Sequence, residues 1–361
     1  MPSTRKTAAF LSASLLAMAA LSGAARADQK PVTFSLSDQM RVSYFWLYVP
    51  QLKGYWAADD LKVNIESVGG SLEALQQVAA GNAQFGQMGT DAVIKANVKE
   101  NIPAQVALLN GAFQWALGVP EDSPIKSAKD LKGKTVGVYS LSTNGNSFLK
   151  AYIKSEGLDP ETDVSLVPVG FGGPALHALQ TGQVDALYFW DSAFVSYENQ
   201  GAHFRLLRAE DWVKYPDYAV ATLKTVVDAD PTMVENFVRG MVKGIVFTEA
   251  NPACAVKLFW KAYPDAKPTG VSDEVALEND LKFLKAQMLE GELSRKAQAT
   301  ENWGAITAAN IADLQAFLNK SGDVQGTADP EKMIVSIPGF FDKVNDFDKK
   351  AIEEDAKQCK L

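Results

Sequence analysis

Short apolar runs alternate with longer amphipathic stretches along most of this chain, and the alternation restricts the folds open to it. Leu61–Ser67 has apolar side chains at every second position, as a half-buried strand does. Phe45, Tyr48, Val49 and Leu52 instead recur at the spacing of one helix face. Strands that alternate with helices in this way predict an α/β fold.

The predicted elements fall into two groups of β-loop-α units. The first group has strands at Val32–Leu36, Leu61–Ser67, Ala83–Met88 and Ala104–Leu109, and helices at Leu72–Ala80 and Thr90–Lys99 capped by Ser71 and Thr90. The second group has strands at Thr135–Tyr139, Val164–Val169 and Val184–Trp190, a helix at Ser147–Ser155 and another that begins at Pro174. Tyr218–Val227 is predicted as a strand that returns to the first group, and a mostly helical region follows from Pro231.

The chain is long for one compact core, and its two groups of units predict two domains. Crossings are expected near Gly118–Pro120 and Pro216–Ala219. Residues 28–118 and 217–361 would then form a first lobe, and residues 119–216 a second. Two crossings permit a hinge between such lobes.

Residues 1–27 have the layout of a secretory signal peptide. Arg5 and Lys6 form a basic head, and Thr7–Leu21 is apolar. Residues 25–27 read Ala-Arg-Ala, an A-x-A cleavage site. Because a membrane span needs ~20 apolar residues, we expect cleavage after Ala27 rather than a retained helix. The mature chain would be exported.

Net charge limits the partners of the exported chain. Without the leader it keeps 32 basic and 43 acidic side chains, a formal charge of −11. That charge opposes binding to nucleic acid or to an anionic membrane surface. It does not restrict a small ligand, whose pocket can carry a local charge of either sign.

Cys254 and Cys359 are the two cysteines. In an oxidising compartment they either form a disulfide that fixes the C-terminal tail or stay apart, since sequence separation gives no distance. His177 and His203 do not belong to a cluster with zinc-like spacing. We expect neither a metal nor a cofactor.

Polar turns follow several of the predicted strands. Ligands of open parallel sheets bind at the carboxyl ends of the strands, beside helix N-termini, so these turns should face one cleft. The candidate ligand-binding residues are Asp38, Arg41, Tyr44, Trp46, Gly70, Ser71, Thr90, Phe113, Ser140, Thr143, Asn144, Phe171, Gly172, Trp190 and Asp191.

Arg41 and the aromatic residues suggest what the cleft binds. The Arg41 guanidinium suits a carboxylate or sulfonate, although a surface arginine at a helix start has the same sequence context. Aromatic rings at loop and strand ends stack on planar ligands or close over apolar ones. Asp191 either accepts from a ligand N–H, caps the next helix or pairs with Arg41 across the cleft, and Asp38 has the same alternatives. We expect a small organic anion with a planar or apolar body.

Two series of short motifs resemble one known family. The first runs Gln51-Leu52-Lys53-Gly54-Tyr55-Trp56, then Gly69-Gly70-Ser71 and Phe85-Gly86; the second runs from Lys129-Asp130-Leu131-Lys132-Gly133 through Gly157-Leu158-Asp159-Pro160 to Thr181-Gly182-Gln183-Val184-Asp185-Ala186. Over about Val32 to Leu223 the chain is similar to periplasmic solute-binding proteins of ABC importers for nitrate, sulfonates, taurine and thiamine-type pyrimidines. The helical region after about Lys267 is longer than in that family.

This resemblance implies a type II two-lobed clamshell that works in the periplasm. Such a protein would be a monomer that closes on a small molecule and delivers it to a membrane permease. The pyrimidine-binding branch carries Leu-Asp-Trp, an Asn and a His in its first loop and helix. This chain has Leu36-Ser37-Asp38, Arg41 and Tyr44 there, which argues against a thiamine-type pyrimidine. A pyrimidine-type or other nitrogenous heterocycle remains the alternative ligand.

An exported enzyme is the competing class. The chain has no G-x-S-x-G, H-E-x-x-H or G-x-G-x-x-G motif, so a catalytic mechanism would have to rely on cleft carboxylates such as Asp38 and Asp191. We expect a binding protein instead. A ligand sensor for a membrane receptor would use the same clamshell.

Overall fold

The computed structural model describes residues 29–361. The predicted signal peptide and the mature N-terminus at Asp28 lie outside the described residues. Within them the chain forms two five-stranded mixed sheets, each covered by helices. This confirms the α/β clamshell expected from the sequence.

The first sheet has the strand order β2-β1-β3-β10-β4, and the second has β7-β6-β8-β5-β9. The strands of the first sheet are β1 Lys30–Leu36, β2 Leu61–Ser67, β3 Phe85–Gly89, β4 Ala104–Leu109 and β10 Tyr218–Leu223. Those of the second are β5 Trp115–Pro120, β6 Lys134–Val138, β7 Val164–Pro168, β8 Ala186–Trp190 and β9 Phe204–Leu207. In each sheet four strands run in the same direction, and the fifth is antiparallel to both of its neighbours: β10 lies between β3 and β4, and β5 lies between β8 and β9.

Helices follow the parallel strands and cover both faces of each sheet. In the first lobe they are α1 Phe45–Leu52, α2 Tyr55–Ala58, α3 Ser71–Ala79 and α4 Thr90–Lys99; in the second they are α5 Gly145–Ser155, α6 Gly173–Gln180 and α7 Asp191–Glu198. The C-terminal part adds α8 Lys224–Ala229, α9 Pro231–Ala250, α10 Pro252–Ala262, α11 Asp273–Ala297, α12 Ala308–Ser321, α13 Phe340–Asn345 and α14 Lys349–Gln358. Helix α9 packs on α1, so this region completes the core of the first lobe.

The chain passes between the sheets over residues 110–114 and returns over residues 208–217. The first passage precedes the predicted one at Gly118–Pro120, because Trp115–Pro120 pairs with β8 and β9 as a strand of the second sheet. The division of the chain into domains at Gly118 and Pro216 remains a prediction.

The long C-terminal helices contact both lobes. On one flank, α11 packs on α10 and α7, and the Ser192 hydroxyl lies 3.4 Å from Gln287 Oε1. On the other flank, α12 packs on α4 and α5, and Phe317 stacks on Phe148 with ring centres 4.9 Å apart. Any change in the angle between the lobes must therefore move these helices too.

Cys254 and Cys359 form a disulfide, with their Cα atoms 5.6 Å apart. The bond joins α10 to the end of α14 and fixes the C-terminal tail, one of the two arrangements that the sequence left open. Within residues 29–361, no helix is long and apolar enough to cross a membrane. Nor do these residues contain a group of three or more His, Cys, Asp or Glu placed to hold a metal ion.

Candidate ligand-binding site

Asp38 is the centre of a hydrogen-bond cluster that both lobes build. It follows β1 and is buried, and its carboxylate accepts from the Gln39 backbone N–H at 2.7 Å. Arg41 donates to both of its oxygens, Nε to Oδ2 at 3.0 Å and Nη2 to Oδ1 at 2.6 Å. The Tyr44 hydroxyl donates at 2.8 Å, and the Tyr139 hydroxyl, from the second lobe, donates at 2.9 Å. Arg41 is therefore already paired with a carboxylate.

The two tyrosines of this cluster are permanent donors. Burial and the Asp38 charge raise the pKa of Tyr44 well above its ordinary value, and the same two causes raise the pKa of Tyr139. Both phenols thus stay protonated around neutral pH, which is the form that can donate to Asp38.

Aromatic rings of the second lobe stand opposite Arg41. Its guanidinium lies 3.8 Å from the centre of the Phe171 ring, a cation–π contact across the cleft. Phe171 in turn stacks on Trp190, with centres 5.7 Å apart and planes 9° apart. Trp190 meets Tyr139 edge to face at 6.0 Å. The rings of Phe171, Trp190 and Tyr139 thus pack together beside the polar cluster around Asp38.

The lobes also touch at the start of α3. Leu72 N donates to Ser142 O at 3.3 Å, and the hydroxyls of Ser142 and Ser140 are 3.1 Å apart. A Cβ on Gly70 would lie 2.4 Å from Ser142 Oγ, so a glycine is required for this approach. The structure therefore has the two lobes closed on each other at this end of the cleft.

Ser71 and Thr90 were predicted as helix caps, and this prediction is wrong. Each is the first residue of its helix, with Gly70 and Gly89 as the capping residues. Ser71 Oγ instead accepts from Gly89 N at 3.2 Å, and Thr90 Oγ1 donates to Asp217 O at 2.8 Å. The partners of these hydroxyls come from β3 and from the return passage, so local capping patterns could not predict them.

Asp217 lies in the return passage and connects both lobes. Its carboxyl accepts from Trp115 Nε1 at 2.8 Å and from Asn144 Nδ2. Burial raises its pKa to about 8; the Trp115 and Asn144 donors lower it in part, and the charge of Asp91 adds to the rise. The side chain therefore holds a proton through much of the neutral range.

The other predicted cleft charges are paired as well. Asp191, the first residue of α7, accepts two hydrogen bonds from Arg208, at 2.7 Å and 3.0 Å. It therefore pairs with a cation of its own lobe rather than with Arg41. In the first lobe Lys95 donates to Asp91 at 2.9 Å, and it also reaches Ser147 across the cleft at 2.6 Å.

The remaining predicted residues divide between core and cleft edge. Trp46 and Phe113 are each 2% exposed and pack against aromatic rings of the interior. Thr143 and Asn144 are buried at the start of α5. Gly172, with φ +73°, begins the turn into α6 directly after Phe171.

Several residues of this region were absent from the predicted set. They are Asn110, Tyr139, Arg208, Asp217, Tyr218 and Glu290. Tyr139 had a signal, since it ends a predicted strand beside the Ser140 turn. The residues in or next to the passages, and Glu290, had no such signal in the sequence. They come close to one another only because the chain crosses twice between the sheets and because α11, far along the chain, packs there.

Two α/β lobes joined by two passages, with side chains of both lobes meeting between them, define the fold of periplasmic binding proteins. The chain belongs to the NMT1/THI5-like family, whose model matches residues 43–255. This agrees with the family resemblance seen in the sequence.

Individual relatives are more distant. The chain is 24% identical over 307 residues to the riboflavin-binding protein RibY of Chloroflexus aurantiacus, covering 80% of this chain and 85% of that protein. A solved structure from Bordetella bronchiseptica RB50 superposes with a TM-score of 0.68 at 21% identity, covering 88% of this chain and 98% of the other. The aliphatic sulphonate binding protein SsuA of Escherichia coli gives a TM-score of 0.57 at 15% identity, covering 84% and 92%. At these identities the structural matches show the fold alone.

Proposed function

We propose that this chain is the periplasmic binding component of an ABC importer and that its ligand is a small, planar, uncharged heterocycle. It would act as a monomer, close its lobes around the ligand and present the closed form to a membrane permease. The observation that carries the proposal is the meeting of both lobes at Asp38, where Tyr139 donates from one side and Arg41 and Tyr44 from the other.

Closure is a means of capture when the ligand contacts both lobes. A ligand shifts the equilibrium between open and closed forms only by its difference in affinity for them. Contacts from both lobes exist only in the closed form, so a ligand that joins Phe171 and Trp190 to the Asp38 cluster would favour that form. The same closed surface is then available to a permease.

The pairing of charges favours an uncharged ligand over the anion predicted from Arg41. Arg41, Arg208 and Lys95 each contact a carboxylate. An anionic ligand would compete with those carboxylates and would meet the Asp38 charge at short range. A nitrogenous heterocycle, the alternative from the sequence, fits the paired charges better than the predicted anion does.

The aromatic wall supports a planar ligand. Phe171 and Trp190 lie nearly parallel, and ring surfaces of this kind favour offset stacking on a flat guest. The relative RibY is named for binding riboflavin, which is such a molecule. That name supports trying flavins first.

Mass spectrometry of the ligand that copurifies with the mature protein, followed by a thermal-shift panel, tests the proposal. The panel should contain riboflavin and other neutral heterocycles, aromatic carboxylates, alkanesulfonates and nitrate. A true ligand at ~100 times its Kd should stabilise the protein by about 2.7 kcal/mol. Stabilisation by anions alone would contradict the proposed ligand class, and stabilisation by no compound would count against a binding protein of this kind.

An enzyme remains the competing class. The two carboxylates that were predicted to act in catalysis are each hydrogen-bonded to an arginine. Asp38 is bonded to Arg41, and Asp191 to Arg208. Recovery of each panel ligand unchanged after prolonged incubation supports binding, whereas conversion would show catalysis. A permease and an ATPase encoded beside this gene would favour import over a sensor role.

A further inference from the structure

Helix α11 brings a carboxyl group to the place where both passages between the sheets meet. Glu290 is 2% exposed, and its backbone carbonyl accepts from Ala112 N at 3.1 Å. Its side chain lies over Gly111, where an added Cβ would be 3.5 Å from Glu290 Oε2. The preceding residue, Asn110, donates its backbone N–H to Tyr218 O at 2.9 Å. Asn110 and Glu290 thus belong to one buried neighbourhood between the lobes.

Tyr218 connects this neighbourhood to the Asp38 cluster. Burial raises the pKa of Tyr218 well above its ordinary value, and the charges of Asp217, Asp38 and Glu290 raise it further. Glu290 and Asn110 lie at the hinge passages, where Glu290 bonds Ala112 and Asn110 bonds Tyr218 through the backbone.

Both residues have hydrogen-bonding atoms without a partner among residues 29–361. The Asn110 side chain is 5% exposed, and neither its amide nitrogen nor its amide oxygen is bonded. Glu290 Oε2 accepts from Gln287 Nε2 at 2.7 Å, whereas Oε1 has no partner. Leaving such atoms unpaired in an interior is unfavourable, and native structures rarely do so. Two neighbouring residues with unpaired atoms, both beside the passages that join the sheets, point to a guest that supplies the partners.

The chemistry of the two side chains defines the guest. A carboxamide offers donors and an acceptor side by side, and its complement is a ring carbonyl next to a ring N–H. Burial, with the charges of Asp217 and Asp191, raises the pKa of Glu290 well above its ordinary value. A protonated Glu290 offers one more O–H donor, which suits a second carbonyl.

We propose that Asn110 and Glu290 form a subsite that recognises the ring amide or imide edge of the ligand, a carbonyl beside a ring N–H. This inference rests on the proposed function, since Phe171 and Trp190 would cover the plane of the same ring. It also gives α11, which belongs to the extended C-terminal region, a direct part in specificity.

Riboflavin and N3-methylriboflavin provide the test, because they share one ring system and differ in the imide N–H. Quenching of flavin fluorescence, titrated with the full mature chain, gives both affinities. The wild type should prefer riboflavin by at least about tenfold, because a site built to hydrogen-bond an N–H leaves its own buried groups unpaired with the methylated analogue. The ratio of the two affinities, measured on one preparation, does not depend on the folded fraction.

Three variants assign the preference to residues. Asn110→Leu should reduce it to within about twofold, Glu290→Gln should keep it because the new amide still donates, and Glu290→Leu should weaken riboflavin binding by about tenfold. Asn97→Leu is the control: Asn97 is a part-buried amide of α4 whose nitrogen donates to Val93 O and Ala104 O. It should lower stability without changing the ratio.

The outcomes separate this inference from the proposed function. Equal wild-type affinity for the two flavins, or an unchanged ratio in Asn110→Leu, overturns the subsite while a planar-ligand binding protein stands. Failure of the wild type to bind any neutral heterocycle in the panel overturns the proposed ligand class and the subsite together.

Discussion

The Tyr139 hydroxyl donates a hydrogen bond to Asp38 Oδ1 at 2.9 Å, so a side chain of the second lobe bonds directly to a carboxylate of the first. Arg41 adds a second link across the cleft, through the face of Phe171. Both links exist only when the lobes are together. The polar residues Asp38 and Arg41 therefore also hold the lobes in the closed arrangement.

Tyr139→Phe removes the first link and keeps the aromatic ring. We expect ligand affinity to fall by about fivefold to tenfold, since a buried hydrogen bond to a charged group contributes roughly 1 to 3 kcal/mol and part of it is shared with the other Asp38 donors. Isothermal titration with a confirmed ligand measures the change. Tyr55→Phe removes a hydroxyl that bonds Asp355 far from the cleft and should leave affinity unchanged. Equal affinities for wild type and Tyr139→Phe would show that this bond does not favour the closed form.

Asp38→Asn tests whether the Asp38 carboxylate prevents the site from binding anionic ligands. The substitution removes the negative partner of Arg41 and leaves a guanidinium facing the cleft. Affinity for an aromatic carboxylate or an alkanesulfonate should rise by about tenfold, measured by isothermal titration at low salt. Asp122→Asn makes the same change of net charge at an exposed loop after β5 and is the control. An equal response of both variants would mean that only overall charge matters.

The buried carboxyl of Asp217 should make stability depend on pH. Its pKa is raised to about 8, whereas an unfolded aspartate titrates near 4. Between these values the folded chain holds a proton that the unfolded chain has released. The free energy of unfolding should therefore fall as pH rises from about 4 to about 8, with no further change from this group above that range.

Urea denaturation of wild type and Asp217→Asn at several pH values in that window measures this effect. In the variant, the free energy of unfolding should fall less steeply with pH. Part of the fall should remain, because the pKa of Glu290 is raised as well. Asn144 Oδ1 has no partner among the described residues, so its amide can turn and accept from the new side-chain N–H. Parallel curves for the two proteins would place the pH dependence elsewhere.

The disulfide should stabilise the fold without affecting the site. It closes a long loop, since its cysteines have a sequence separation of 105, and such bonds contribute roughly 2 to 4 kcal/mol. A Cys254→Ala/Cys359→Ala double variant should lose about that much free energy of unfolding and keep its ligand affinity within about twofold. A large loss of affinity would instead show that the C-terminal tail supports the cleft.

Much of the fold could be predicted from local patterns. Leu61–Ser67, Thr90–Lys99 and Ala104–Leu109 have the predicted bounds. Their periodicity is regular, and turn residues flank them. By contrast, the strand predicted as Tyr218–Val227 ends at Leu223, and Lys224–Ala229 is a helix. The spacing of apolar residues between Leu223 and Val227 is compatible with either a strand or a helix.

Two strands were missed for physical reasons. Gly118 and Pro120 made Trp115–Pro120 resemble a crossing, yet the segment is buried between two antiparallel neighbours, where a glycine is tolerated and the proline falls at the end. Phe204–Leu207 is a short edge strand of half-buried residues with little periodicity. Chain topology, rather than composition, decides both.

The candidate site was predictable only where polar turns follow strands. Arg41, Phe171 and Trp190 meet as residues of such turns and strand ends, and they came from different units of the sequence. The salt bridge between Asp38 and Arg41 changes what the cleft can bind, and no spacing rule distinguishes it from a free arginine. Asn110 and Glu290 come together through the hinge passage and α11, contacts that only the three-dimensional structure reveals.

The central claim is that two lobes close around a ligand, and a distance between the lobes tests it most directly. Spin labels at Lys62→Cys and Thr162→Cys, exposed positions on opposite lobes, can be attached because the native cysteines are joined in a disulfide. Pulsed electron resonance should show a broad distribution without ligand and a narrower, shifted one with saturating riboflavin or another confirmed ligand. An identical distribution in both samples, at proven saturation, would contradict capture by closure.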